Sequence, residues 1–238
     1  MELRAHELGY QLLNEKVRNT GEDTVINECY GERFIGAGAS NKTITINGTP
    51  GNALGAYLDG ANIIVNGNAQ DATGDTMNDG NIIIYGNAGD ALGYAMRGGK
   101  ILVKGDAGYR TGIHMKEYKD KKPVIIVGGS TGSFLGEYLA GGLIIVLGLD
   151  SDSCPTGHFI GVGMHGGEIY IRSSKAPENL PEQVSMKVAD EQDIGRIQDY
   201  LSEFAKVFNI DIGEILSKPF YRLTPNGKNP YKKLYTEN

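Results

Sequence analysis

The chain has 238 residues, enough for one large domain or two small ones. Hydrophobic residues make up 40% of it and charged residues 22%, as in globular proteins, while its 35 glycines are about twice the ordinary share of roughly 7%. The net charge of −6 argues against nucleic acid as the main partner. No charge-free run reaches the roughly 20 residues of a membrane-spanning helix, which argues against an integral membrane protein.

The charged amino terminus lacks the apolar stretch of a signal peptide. The two cysteines, Cys29 and Cys154, are far apart in the sequence and neither belongs to a CxxC pair. This usage is typical of a reduced cytosolic protein and not of a disulfide framework. We therefore expect a cytoplasmic protein.

A repeat of 19 to 20 residues runs through most of the chain. Residues 67–85 (GNAQDATGDTMNDGNIIIY) are followed directly by the similar residues 86–104 (GNAGDALGYAMRGGKILVK). An inner glycine recurs in every repeat, at Gly36, Gly55, Gly74, Gly93, Gly112, Gly136 and Gly161. A column of large apolar residues follows the inner glycine, namely Met77, Met96, Met115, Leu139 and Met164. Self-similarity of this kind indicates a stacked repeat protein.

Each repeat closes on a short apolar run that predicts a strand. The runs are Ile44–Ile46, Ile63–Val65, Ile82–Ile84, Ile101–Val103, Val124–Val127, Leu143–Leu147 and Ile169–Ile171. Stacking these strands predicts an all-β fold, a single-stranded right-handed parallel β-helix of about seven coils. Residues 116–123 and 149–159 are predicted to be protruding loops.

The flanking segments predict short helical caps at both ends. Leu3, Leu8, Leu12 and Leu13 suggest a helix at the start of the chain. Near the other end one helical face is formed by Ile194, Ile197, Leu201, Phe204 and Phe208, with Asp190 as the N-cap. The predicted domains are an N-terminal cap (1–23), the repeat region (24–180), and a C-terminal helix with an extended basic tail (181–238).

Several stretches resemble the glycine-repeat (GXGXG) domain of the large glutamate synthase subunit, which in some organisms is a separate chain. They are residues 27–36 (NECYGERFIG), 67–74 (GNAQDATG), 137–148 (EYLAGGLIIVLG), 163–171 (GMHGGEIYI) and 220–225 (FYRLTP). The resemblance implies a non-catalytic scaffold subunit of a split glutamate synthase, acting in glutamate biosynthesis and ammonia assimilation. It implies glutaminase and FMN-containing synthase chains as partners. FMN and an iron–sulfur cluster are expected in those chains and no cofactor in this one.

The regular repeats also resemble the glycine-repeat subunit of formylmethanofuran dehydrogenase, which would dock on molybdenum or tungsten proteins. A homo-oligomer without an enzyme partner is a third possibility. In the glutamate synthase interpretation the tail Phe220–Tyr235 is a candidate contact, because its aromatic and basic residues have the composition of interfaces.

Two motifs suggest sites but are better explained as structure. Residues 161–166 (GVGMHG) match GxGxxG, yet a strand follows them where a dinucleotide fingerprint needs a helix. Cys154, His158 and His165 are metal-ligand types, but zinc needs three or four ligands at workable spacing. We therefore predict a turn in the first case and no metal site in the second.

Asp71 and Asp90 occupy the same position in consecutive repeats, so their carboxyl groups are expected within about 5 Å of each other. Polysaccharide lyases and hydrolases built on β-helices stack acids in this way, which gives a second class of function. The neighbouring repeats place Asn52 and Tyr109 in the same column, so no acid cluster is built. We favour turn-capping aspartates and predict no catalytic, cofactor-binding or metal-binding residue.

Overall fold

The structure is a computed structural model and describes residues 1–227. Its strands are β1 (Glu2–Arg4), β2 (Thr24–Tyr30), β3 (Thr43–Thr49), β4 (Asp59–Asn66), β5 (Asp79–Ile84), β6 (Lys100–Val103), β7 (Val124–Val127), β8 (Ala140–Val146), β9 (Gly166–Arg172), β10 (Val184–Val188) and β11 (Phe220–Pro225). Its helices are α1 (Ala5–Asn19), α2 (Glu191–Phe208) and α3 (Ile212–Ile215).

All eleven strands belong to one sheet, in the order β1 to β9 followed by β11 and β10. Neighbours from β1 to β9 are parallel, and in the regular repeats each residue pairs with the residue 19 positions later, as Ile63 pairs with Ile82. β11 is antiparallel to both β9 and β10. The predicted strands are confirmed, whereas β1, β2, β10 and β11 were missed.

The predicted fold class, an all-β parallel β-helix with helical caps, was wrong. One mixed 11-stranded sheet with helices is an α/β-type fold. The repeat pattern correctly predicted the parallel neighbours. It carries no information on the antiparallel strands, because these lie beyond the last repeat. The division into three domains stays a prediction.

The inner face of the sheet packs into the larger core. Alternate strand residues such as Ile44, Ile46, Ile63 and Val65 are fully buried there. The predicted methionine column is also interior, since Met77, Met96, Met115, Leu139 and Met164 are all inaccessible to solvent.

Helix α2 covers the outer face of β6 to β9. Its predicted apolar face is confirmed, and Leu201 and Phe204 pack against outer-face residues such as Ile126 and Ile145. Asp190 is the N-cap and accepts a hydrogen bond from the Asp193 N–H within a capping box. The helix therefore lies on the side of the sheet, and the prediction that it caps the end was wrong.

Helix α1 is longer than predicted and uses a different face. Leu13 and Val17 are its buried large residues, whereas Leu12 is exposed and Leu3 lies in β1. Lys42 holds the end of the helix, because its Nζ donates to the carbonyl oxygens of Val17 and Thr20.

The predicted basic tail is part of the fold where the structure describes it. Phe220 is buried and begins β11, between β9 and β10. It is therefore no exposed anchor for a partner. Tyr231 and Tyr235, the other end of that predicted contact, lie outside the described residues. Within residues 1–227, none of the helices combines the length and the apolar character needed to cross a membrane.

Candidate functional site

Asp71 and Asp90 cap backbone groups of the following repeat. Asp71 Oδ1 accepts a hydrogen bond from the Asp90 N–H at 2.9 Å, and Asp90 Oδ1 accepts one from the Tyr109 N–H at 2.8 Å. Both carboxylates are exposed. This is the turn-capping role that the sequence favoured over a catalytic pair.

A second column of this kind was missed. Asn68, Asn87 and Asp106 each accept a hydrogen bond from the backbone N–H of the next repeat, over 2.7 to 2.8 Å. The signal for it was the Asn or Asp that follows the first glycine of the three repeats that begin at Gly67, Gly86 and Gly105. Both columns connect successive repeats by hydrogen bonds, so the role of these carboxylates is structural.

The thiol of Cys29 is buried and unsuited to nucleophilic chemistry. Burial, supported by the neighbouring Glu32 carboxylate, raises its pKa to about 12. The thiol is therefore protonated at neutral pH, and the thiolate is the reactive form.

The candidate metal ligands do not converge. Cys154 Sγ lies 3.3 Å from Thr156 Oγ1, and His165 Nδ1 lies 3.0 Å from the Gly163 carbonyl oxygen. The ring of His158 meets Phe159 edge-on. Over residues 1–227 no group of three or more His, Cys, Asp or Glu side chains could hold a metal ion.

The GxGxxG segment forms a turn that makes room for an aromatic ring. Gly161 and Gly163 both have positive φ, and strand β9 follows them. A Cβ atom on Gly163 would lie 2.4 Å from Cδ1 of Tyr138. The glycine therefore serves the packing of Tyr138, as expected of a turn and not of a dinucleotide loop.

The two predicted loops are held by ion pairs and hydrogen bonds. In residues 116–123, Lys121 Nζ lies 2.9 Å from Asp79 Oδ2 and 3.8 Å from Asp59 Oδ1. In residues 149–159, the Ser151 carbonyl oxygen accepts a hydrogen bond from Lys218 Nζ at 2.8 Å.

Two stacks of side chains form an exposed surface where the chain turns between strands. In the first, the His114 ring stacks on Tyr138, with ring centroids 5.0 Å apart, and meets Tyr94 edge-on, with ring centroids 5.9 Å apart. In the second, Phe134 lies between Phe159, at 5.0 Å, and the Arg110 guanidinium, at 4.7 Å.

An ion pair also holds the guanidinium of the second group, because Arg110 Nε lies 3.1 Å from Glu137 Oε2. We call Tyr94, Arg110, His114, Phe134, Tyr138 and Phe159 the aromatic corner. Phe159 is 56% exposed and Tyr94 40% exposed. The sequence analysis missed this surface, since five of the six positions hold alanine or threonine in residues 67–104, and the sixth, Tyr94, corresponds to Asp75.

Residues 1–227 thus form a repeat-built sheet that carries a partly exposed aromatic surface. The chain belongs to the GXGXG motif family, whose sequence profile matches residues 6–226. It is 43% identical to an uncharacterized protein of Methanocaldococcus jannaschii over 247 aligned positions, covering 98% of this chain and 95% of that protein.

A solved structure has a similar fold. It is the formyltransferase/hydrolase complex of Methylorubrum extorquens in complex with methylofuran, one chain of which matches with a TM-score of 0.63 and 24% identity. The match covers 84% of this chain and 72% of that chain.

Proposed function

We propose that this chain is a non-catalytic scaffold subunit of a multi-subunit enzyme complex of the formyltransferase/hydrolase type. The aromatic corner is the observation that carries the proposal. Exposed aromatic rings with an arginine among them are the composition of binding hot spots between proteins.

The aromatic corner is also pre-organised. His114 and Phe134 are each held between two neighbours, and the Arg110–Glu137 ion pair fixes the guanidinium over Phe134. Side chains that are already ordered lose little conformational entropy on binding. A larger part of the contact energy with a partner chain therefore contributes to the affinity.

The fold match supports the choice of complex. The matching chain belongs to a complex of several subunits, and the proposal assigns this chain a comparable place beside catalytic chains. The glycine-repeat subunit of formylmethanofuran dehydrogenase, the second family that the repeats resemble, fits this assignment better than glutamate synthase does.

Glutamate synthase remains the second candidate, because one of the segments that carry that resemblance is an ordered part of the sheet. Residues 220–225, which carry part of that resemblance, form β11 and pair with both β9 and β10. The motif is thus built into the sheet. In this second candidate the FMN and the iron–sulfur cluster belong to separate partner chains.

Affinity capture of the full chain from its native organism tests the proposal. We expect formyltransferase/hydrolase chains to be retained with the wild-type protein and lost with the double variant Phe134→Ala, Phe159→Ala. The matched control is Tyr30→Ala, because Tyr30 is an exposed aromatic residue outside the aromatic corner. This control should retain the partners.

The identity of the captured chains decides between the candidates. Glutaminase and FMN-containing chains would replace the proposal with the second candidate. Recovery of this chain alone would contradict both. Retention of partners by the double variant would show that the aromatic corner is not the contact.

A further inference from the structure

The first repeat has backbone donors that its position leaves unpaired. In later repeats the N–H of the inner glycine donates to the preceding repeat, as Gly55 does to the Ile35 carbonyl oxygen at 2.8 Å. Asp59 N–H likewise donates to the Ala39 carbonyl oxygen at 2.9 Å. Gly36 and Ser40 hold these two positions in the first repeat, which no repeat precedes. Their N–H groups have no acceptor within residues 1–227.

A cavity lies where these donors meet helix α1. Its volume is about 120 Å³, and its lining includes Gly36, Ser40 and, from the helix, Asn14 and Arg18. A single water needs roughly 10–15 Å³ by the same measure, so this space suits a polyatomic ligand.

One buried acceptor in the cavity also lacks a partner. Asn14 Nδ2 donates to the Arg33 carbonyl oxygen at 2.8 Å, which fixes the orientation of the amide. Asn14 Oδ1, in the cavity wall, has almost no surface open to solvent and receives no hydrogen bond from residues 1–227. Buried polar atoms are nearly always paired, so a ligand that displaces the cavity wall slightly is expected to supply a donor to this oxygen.

The charge of the lining favours an anion. Of residues 1–227, Arg18 and Lys42 are the charged ones that line the cavity, and no carboxylate among them does so. Lys42 is engaged with carbonyl oxygens of α1, while Arg18 has no ion pair among the described residues. Guanidinium and backbone N–H groups together bind oxyanions strongly.

We propose that this cavity binds a phosphate group that keeps one protonated oxygen. The N–H groups of Gly36 and Ser40 and the Arg18 guanidinium would donate to its oxygens, and its hydroxyl would donate to Asn14 Oδ1. Sulfate has the same shape but carries no hydroxyl at neutral pH. Phe34, 46% exposed, also lines the cavity and could contact the organic part of a phosphomonoester.

Isothermal titration calorimetry of the full chain at pH 6, where inorganic phosphate and about half of the adenosine monophosphate carry a protonated oxygen and sulfate carries none, tests the site with these three anions at constant ionic strength. We expect saturable binding of phosphate at one site and at least tenfold weaker binding of sulfate. Arg18→Gln should weaken phosphate binding at least tenfold. Arg97→Gln makes the same charge change at an exposed arginine away from the cavity and should bind like the wild type.

The two sources of phosphate are distinguished by Phe34→Ala. If adenosine monophosphate binds more tightly than inorganic phosphate and Phe34→Ala removes this difference, the site is assigned to a phosphomonoester. If adenosine monophosphate binds as tightly as phosphate or more weakly, the site is assigned to free phosphate. Absence of saturable phosphate binding, or equal binding of sulfate, would overturn the proposal. Equal phosphate affinity in folded Arg18→Gln would do the same. Should that variant not fold, line broadening of the phosphate ³¹P resonance by the wild-type chain still decides whether the chain binds phosphate, and absence of broadening would overturn the proposal. The inference concerns this chain alone and does not depend on the proposed function.

Discussion

The inner glycine of each repeat is required by space more than by backbone conformation. The residues two positions before and after it share its positive φ, and they include ordinary residues such as Ala72 and Thr76 around Gly74. Only the glycine faces the core, where a Cβ on Gly74 would lie 2.4 Å from Cδ1 of Ile101. The neighbouring positions point outward and accept larger side chains at a modest cost in backbone strain.

A pair of alanine substitutions separates these two effects. Gly112→Ala places a Cβ 2.4 Å from Ile144 Cδ1, whereas Gly38→Ala meets no atom within 4 Å at a similar φ. Gly38→Ala should lower the free energy of unfolding by about 1–2 kcal/mol through strain alone. Gly112→Ala should cost about 1–3 kcal/mol more, because it overpacks the core. Urea unfolding in phosphate-free buffer measures both, and equal losses would show that conformation alone selects glycine.

Among the elements, the repeated ones could be predicted and the unrepeated ones could not. The apolar runs from Ile44 to Ile171 and the 3–4 spacing in α2 are local patterns, and both are confirmed. β10 and β11 exist because they pair with each other and with β9, which no local pattern records.

The candidate sites divide in the same way. The capping role of Asp71 and Asp90 follows from their column in the repeat. The aromatic corner joins positions of several repeats whose residue types differ from the regular ones. The cavity beside Asn14 depends on how α1 packs against the first repeat. Neither leaves a signal in the sequence alone.

The start of α2 is tied to the sheet by a charged cluster that predicts acid sensitivity. Burial acts to raise the pKa of Asp193, but hydrogen bonds from the Lys187 ammonium at 2.6 Å and the Asp190 N–H outweigh it, and the pKa is lowered. Asp193 also lies 3.0 Å from Arg222. A carboxylate with a lowered folded pKa stabilises fully above its unfolded pKa of about 3.9. This stabilisation is lost as the pH falls through the folded value.

Asp193→Asn should therefore lower the Tm by several degrees at pH 7, because Arg222 and Lys187 lose a charged partner. The difference from the wild type should begin to shrink below about pH 4, where the carboxylate of the unfolded chain takes up a proton, and should be lost as the pH falls through the lower pKa of the folded carboxylate. Thermal unfolding followed by circular dichroism between pH 7 and pH 3 measures it. Glu191→Gln, in the exposed first turn of the same helix, is the control and should change the Tm little. A Tm difference that does not change with pH would contradict the stabilising role of the ionised Asp193 carboxylate.

At the scale of the whole molecule, the C-terminal segments complete the sheet and its second core. α2 buries the outer faces of β6 to β9, and β11 covers the edge of β9. Among residues 1–227, the free edges are then β1, with three residues, and β10, with five, one of them the exposed Lys187. Short and charged edge strands limit pairing with other chains.

A chain cut after Ser173 should therefore associate. It would expose Leu102, Ile126 and Ile145 on one face and leave the edge of β9 unpaired. Size-exclusion chromatography with light scattering should show oligomers or aggregates, and a hydrophobic dye should bind. Phe204→Ala in the full chain is the comparison, because it keeps every strand and removes one buried ring. That variant should have the same oligomeric state as the wild type, and its free energy of unfolding should be lower by about 3–5 kcal/mol. A truncated chain that is monodisperse and unfolds cooperatively would mean that the repeats form an independent domain and that α2 and β11 are accessory.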